Sequence, residues 1–192
     1  MNRIILASMS PRRKSLLSKF NAKLHVKGSF IEEYMDKDMS PEVNAMSLAF
    51  QKAEDVSKRV SKNDIIIAAD TLVYKGRILG KPQDRREAYN MLKYLSGSVH
   101  SVFTGIAVMK TGSNIKVVDY EETKVEFRQL KDTLIEKYLD TGEYIDKAGS
   151  YGIQGKGAIF VKGIKGSYSN VVGLPIAKVD NILSEYFDIM LL

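Results

Sequence analysis

The 192-residue sequence has no cysteine, no tryptophan, two histidines and four prolines. Without cysteine there is neither a disulfide nor a thiolate-ligated zinc site, and His25 and His100 lie too far apart in the chain to suggest a histidine-rich metal site. Any metal is therefore expected to be a hard cation held by carboxylates and phosphates. No apolar run approaches the roughly 18 to 20 residues of a membrane span. The opening segment has only Ile4-Ile5-Leu6-Ala7 in succession, too short for the core of a signal peptide. The chain is accordingly expected to begin at Met1 and to remain in the cytosol.

What is present is enough apolar residue, 44%, to fill one substantial core. A single α/β domain over residues 1–192 is the simplest expectation, with two tightly coupled lobes as the alternative. The net charge of +6 fits an anionic partner, and fits equally a surface charged for solubility.

Strand and helix patterns alternate without repeats or low-complexity linkers. Ile4 to Ala7 reads as a strand, and Ser10 with Pro11 as the start of a helix over 11–20. Ser40-Pro41 repeats that start, and Met46, Ala49, Phe50, Ala53, Val56 and Val60 recur at helical spacing. Ile65-Ile66-Ile67-Ala68-Ala69 is apolar on both faces, as in a central strand, and is expected to stop at Asp70. Lys75-Gly76 reads as a hairpin turn, and Asp84 with Glu87 as the cap of a helix ending near Gly97. Two long strands over 99–109 and 115–127 should pair through Thr111-Gly112-Ser113-Asn114. A helix over 132–140, a strand over 158–164 and a last helix opened by Pro175 complete a mixed sheet flanked by helices.

Several residues could carry chemistry. Arg12, Arg13 and Lys14 crowd the first turn of a helix whose free amides already make that end positive, at a cost of roughly 0.3 to 1 kcal/mol each. A bound anion would relieve that repulsion, and splaying into solvent would also relieve it. Asp70 occupies the carboxyl edge of a central strand, where ligand crevices form, although a strand-end aspartate can equally cap the turn beginning at Thr71. Glu32-Glu33 is either a metal-binding pair or a solvated face. Lys52 lies beside an apolar helical stripe and can bind a ligand or snorkel to solvent. Lys81 is pinned between Gly80 and Pro82 in a segment too short, and lacking the Ser or Thr, for a P-loop. Four glycines over 149–157 would let backbone amides approach a bound group, or simply form a turn-rich loop. Within them Gln154 can both donate to and accept from a base edge.

In order and spacing, Ser8-Met9-Ser10-Pro11-Arg12-Arg13, Ala68-Ala69-Asp70-Thr71, Gly80-Lys81-Pro82, Asp146-Lys147-Ala148-Gly149 and the run from Gly166 to Pro175 resemble the Maf family of nucleotide pyrophosphatases over nearly the whole chain. The resemblance implies an elongated α/β fold like that of the inosine triphosphate pyrophosphatases, a cleft between two halves, and a homodimer. It places the general base on Asp70, phosphate-binding groups on Ser8, Arg13, Lys52 and Lys81, and metal binding on Glu33 with Asp70, for Mg2+ or Mn2+. Arg12, Thr71 and Gln154 fall on positions linked to specificity, in the pattern of members acting on dTTP and UTP. A role in nucleotide clean-up and in cell-division arrest is implied with it. A nucleotide-sensing regulator of septum formation with little turnover is one rival. A nucleic-acid-binding module is another, but no aromatics interleave with the basic cluster and no nucleic-acid motif is present.

Overall fold

The computed structural model describes residues 3–20 and 23–192, so the expected start at Met1 lies outside the described residues. The chain packs as two compact units. The first comprises residues 1–70, 104–121 and 173–192, and the second 71–103 and 122–172. Among the described residues no helix is long and apolar enough to cross a membrane.

In the first unit, β1 (Ile4–Leu6) lies parallel to both β2 (Leu24–Val26) and the start of β3 (Ile65–Lys75). Two helices follow β1 and β2, α1 (Pro11–Leu17) and α2 (Pro41–Ser57). Ala49, Ala53 and Val56 of α2 pack with Ile5, Ala7, Ile66, Ala68, Ala107 and Met109, so the helix lies on the sheet through its small side chains. At Gly105 the approach is extreme: a Cβ there would stand 2.1 Å from the Ala45 carbonyl carbon and oxygen. The unit also contains α6 (Ile176–Phe187), which follows Pro175 and buries Val179, Ile182 and Leu183.

In the second unit, β3 turns at Gly76, with φ +64, into antiparallel β4 (Arg77–Leu79). Asp84 caps α3 (Arg85–Leu95) by accepting the Glu87 amide at 2.7 Å, while the Glu87 carboxylate accepts the Gln83 amide at 2.7 Å. The Asp84 cap is the one expected from sequence, and Glu87 adds a second bond to the residue before the cap rather than to Asp84 itself. Helices α3 and α4 (Asp132–Leu139) close over β-strand residues Val73, Val102, Val125 and Phe127, with Phe160 and Tyr151 filling the core between them. Short α5 (Tyr168–Val172) is tied down by buried Asn170, whose amide donates to the Val102 carbonyl at 3.0 Å and the Thr123 hydroxyl at 2.9 Å.

The strands β5 (Val99–Lys110), β6 (Lys116–Phe127) and β7 (Val161–Lys165) complete a seven-stranded mixed sheet in the order β2-β1-β3-β5-β6-β7, with β4 beside β3. The mixed α/β architecture matches the expectation from sequence; β2 and α5 are additional to it, and several expected elements differ in their bounds. α1 ends at Leu17 rather than at residue 20, because the Phe20 amide turns back to the Leu17 carbonyl at 3.3 Å. α2 stops at Ser57, short of Val60. The strand expected from residue 158 begins at Val161, after a 3-10 turn over Lys156–Phe160. Most consequential, β3 does not stop at Asp70 but continues for five residues to Lys75. A buried carboxylate is tolerated inside a strand only when it is paired. Lys52 supplies the pair.

Candidate active site

Lys52 is reached through the register of α2, in which Ala49, Ala53 and Val56 face the sheet and carry the neighbouring Lys52 along the helix flank. Its ammonium meets the Asp70 carboxylate directly and lies 2.8 Å from Glu33 Oε1. The Lys52 and Asp70 side chains are nearly buried, whereas Glu33 is half exposed at 49%. One cation thus gathers two carboxylates. The alternative in which Lys52 merely snorkels to solvent does not hold.

Glu33 belongs to the irregular segment between β2 and α2, and three further α2 side chains fasten that segment. Asp55 accepts the Phe30 amide at 3.2 Å, and Gln51 donates to the Tyr34 carbonyl at 3.3 Å. Buried Asn44 accepts the Asp36 amide at 2.9 Å and donates to the Asp36 carbonyl at 2.8 Å and the Met39 carbonyl at 3.1 Å. None of these three stood out in the sequence as functional. Their only signal is polar spacing on a helix, which an ordinary solvated face shows as well.

Arg13 does not splay into solvent. Its Nε donates to the Gly173 carbonyl at 2.7 Å and its guanidinium also donates to Ser8 Oγ at 3.3 Å, while Ser8 accepts the Ser10 amide at 3.2 Å. Ser8 is buried and Arg12 half-buried. Burial pulls the Arg13 pKa below its usual value, the Asp70 and Glu33 charges pull it up, and the Arg12 charge pushes it down. A guanidinium stays cationic through such shifts. The first unit therefore brings Ser8, Arg12, Arg13, Glu33, Lys52 and Asp70 into one electrostatic neighbourhood. α1 has only seven residues, so this positive character comes from side chains more than from a helix dipole.

Thr71, Lys81 and Gln154 belong to the second unit. Thr71 follows Asp70 on β3 and is half-buried, whereas Lys81 and Gln154 are exposed. The Gly149 amide donates to the Gly80 carbonyl at 3.1 Å, which places the Lys81 segment beside the glycine-rich loop. That loop closes on a group of the protein itself: the Glu143 carboxylate accepts the Lys156 amide at 2.7 Å and the Gly157 amide at 3.2 Å. A Cβ at Gly155 would fall 2.4 Å from Glu143 Oε1, and one at Gly157 would fall 2.8 Å from the Gly152 carbonyl oxygen. Gly155 makes room for that carboxylate, and Gly157 for the Gly152 backbone. Sequence reasoning passed over Glu143 because the amides that need it lie more than a dozen residues further on.

Among the described residues no cluster of three or more histidine, cysteine, aspartate or glutamate side chains could hold a metal unaided. What the first unit offers is two carboxylates converging on one positive charge, flanked by two arginines, an arrangement able to receive a polyanion and a shared cation together.

The family model described as Maf-like protein matches residues 3–186. The chain is 50% identical over its whole length, and over the whole of the relative, to the dTTP/UTP pyrophosphatase of Alkaliphilus oremlandii. It is 46% identical, again across all of both chains, to the dTTP/UTP pyrophosphatase of Alkaliphilus metalliredigens. Among solved structures, the Staphylococcus aureus Ham1 protein is similar at 15% identity over 66% of this chain and 72% of that one, with a TM-score of 0.46, too remote to bear on chemistry. With the family model covering almost the entire sequence and relatives this similar across their full length, the chain belongs to the Maf family.

Proposed function

We propose that the protein hydrolyses dTTP and UTP to the nucleoside monophosphate and pyrophosphate, with Asp70 as general base. The observation that carries this reading is the shared contact of Lys52 with Asp70 and Glu33, beside Arg13, in a chain half identical to relatives named dTTP/UTP pyrophosphatase.

Hydrolysis of the α–β phosphoanhydride needs a positioned water and neutralisation of the charge that builds on the departing pyrophosphate. Asp70 orients the water and takes its proton as the oxygen bonds to the α-phosphorus; the bridging oxygen leaves with the pyrophosphate. Arg13, fixed by Gly173 and Ser8, and Lys52 bind the phosphate chain as preplaced cations. Arrival of a triphosphate gives Lys52 a new anionic partner and frees Asp70 to act on water. Ser8 and Lys81 join the phosphate-binding set, and Arg12, Thr71 and Gln154 select the pyrimidine nucleotide.

Glu33 and Asp70, hard oxygen donors gathered at one point by Lys52, would hold a divalent cation, Mg2+ or Mn2+, together with the substrate's phosphates. When bound, it would neutralise phosphate charge and make the water more acidic. The homodimer, the cytosolic location, the single working domain over 1–192 and the link to nucleotide clean-up and division arrest belong to the same proposal.

A nucleoside triphosphate panel with magnesium or manganese, followed by pyrophosphate release, tests it. Release from dTTP and UTP with little from ATP is expected. Nucleotide binding without turnover would favour a sensor, and salt-sensitive oligonucleotide binding without turnover would favour a nucleic-acid module.

A further inference from the structure

Gln154 is exposed, so the direction in which its side chain leaves the loop is set by the backbone that carries it. Here the backbone immediately after it is fixed. The two carboxylate oxygens of Glu143 accept the amides of Lys156 and Gly157, two and three residues beyond Gln154. Glu143 is itself held: its amide donates to the Thr141 hydroxyl at 3.3 Å, and its carbonyl accepts from the Lys147 ammonium. Just before Gln154, the Tyr151 ring is buried against Phe127, with its hydroxyl 2.8 Å from His100 Nε2. The loop is thus pinned on both sides of Gln154, once by packing and once by a carboxylate received in a nest of amides.

We infer that Glu143 is a positioning residue for pyrimidine selection: by holding the Lys156 and Gly157 amides it keeps the 152–157 loop in the shape that presents Gln154 to the base. This rests on the reading of Gln154 as a base-contacting residue. Glu143 touches neither substrate nor reacting atoms, and its effect passes through Gln154. Loss of the carboxylate therefore weakens recognition of the base and leaves the hydrolytic step in place.

The test measures kcat and KM for dTTP, UTP and CTP, with thermal midpoints, in Glu143→Ala, Glu143→Gln, Gly155→Ala, Gln154→Ala and the Glu143→Ala/Gln154→Ala double variant. For Glu143→Ala, KM for dTTP and UTP should rise about tenfold with kcat within about twofold, and preference over CTP should fall. Glu143→Gln, which keeps one acceptor oxygen, should restore part of the loss. Gly155→Ala drives a Cβ into the Glu143 carboxylate and should reproduce the KM effect without altering Glu143 itself. The double variant should be no worse than Gln154→Ala alone, because two residues acting through one contact do not add.

An unchanged KM in Glu143→Ala, or a double variant in which the two losses multiply, overturns the inference. Should Glu143→Ala fail to fold, Gly155→Ala decides: a raised KM supports the inference and an unchanged one overturns it. If Gln154→Ala itself leaves KM and selectivity untouched, the base-contacting reading of Gln154 fails and the inference falls with it. If Gln154→Ala has its effect while Glu143→Ala and Gly155→Ala have none, the inference alone fails. A purely structural Glu143 would lower the thermal midpoint and depress turnover of all three nucleotides equally, which also overturns it.

Discussion

Lys52 and Asp70 stand 18 residues apart, one on α2 and one inside β3, and meet as an ion pair that also draws in Glu33. The pair lets a carboxylate sit at the sixth position of an eleven-residue strand, where the sequence suggests the strand should end.

Replacing Lys52 with Met removes the shared cation and leaves two carboxylates facing each other. With both partners of the Lys52–Asp70 pair nearly buried, stability is expected to fall by about 3 kcal/mol, the scale of a buried charge losing its partner. Loss of a preplaced phosphate ligand should also lower kcat/KM for dTTP by about a hundredfold. Urea unfolding and steady-state kinetics read the two effects separately. Wild-type activity in this variant would remove Lys52 from the phosphate-binding set.

A Cβ at Gly105 would overlap the Ala45 carbonyl, and it is backbone rather than a flexible side chain that would have to give way. Gly105→Ala should therefore push α2 off β5 and cost about 1 to 3 kcal/mol. Because α2 carries Lys52, activity should fall at temperatures where the variant is still folded. Circular dichroism melts alongside kinetics check this, and an unchanged midpoint would contradict the packing described.

His100 is buried in the second unit, with Nε2 against Tyr151 and, among the described residues, no hydrogen-bond partner at Nδ1. Burial above all, with a push from Lys75, lowers its pKa from 6.5 to about 4. Burial also raises the pKa of the Tyr151 phenol, so the pair stays neutral. The unfolded chain takes up a proton at His100 as pH falls below 6.5, while the folded chain resists until about pH 4. The stability tied to His100 is accordingly intact above pH 6.5 and lost across that window, about 3 kcal/mol in all. His100→Gln, whose amide does not titrate, should lose about 3 kcal/mol less than wild type in urea unfolding between about pH 7 and pH 4. Equal losses would place the acid sensitivity elsewhere.

The sequence revealed those elements whose signals are local. The small-residue stripe of α2, the Asp84 and Glu87 cap of α3 and the turn at Gly76 each follow from residues within a few positions of one another. β2 and α5, with three and five residues, are too short to show periodicity. The continuation of β3 was illegible because an aspartate in an apolar run reads as a stop, and only the fold reveals that Lys52 pairs with it. The motif residues of the first unit do converge: Arg13 is anchored by Gly173 across 160 residues of sequence, and Glu33 by Lys52. The glycine loop was the least legible part. Its composition points to an anion without saying that the anion is the protein's own Glu143.

The most direct test is pyrophosphate release from dTTP by Asp70→Asn beside wild type, with nucleotide affinity measured on both. The amide keeps the shape of the side chain and loses its basicity, so release should fall by about a hundredfold or more while binding persists. Asp70→Asn turning over dTTP at the wild-type rate would contradict the assignment of Asp70 as the base.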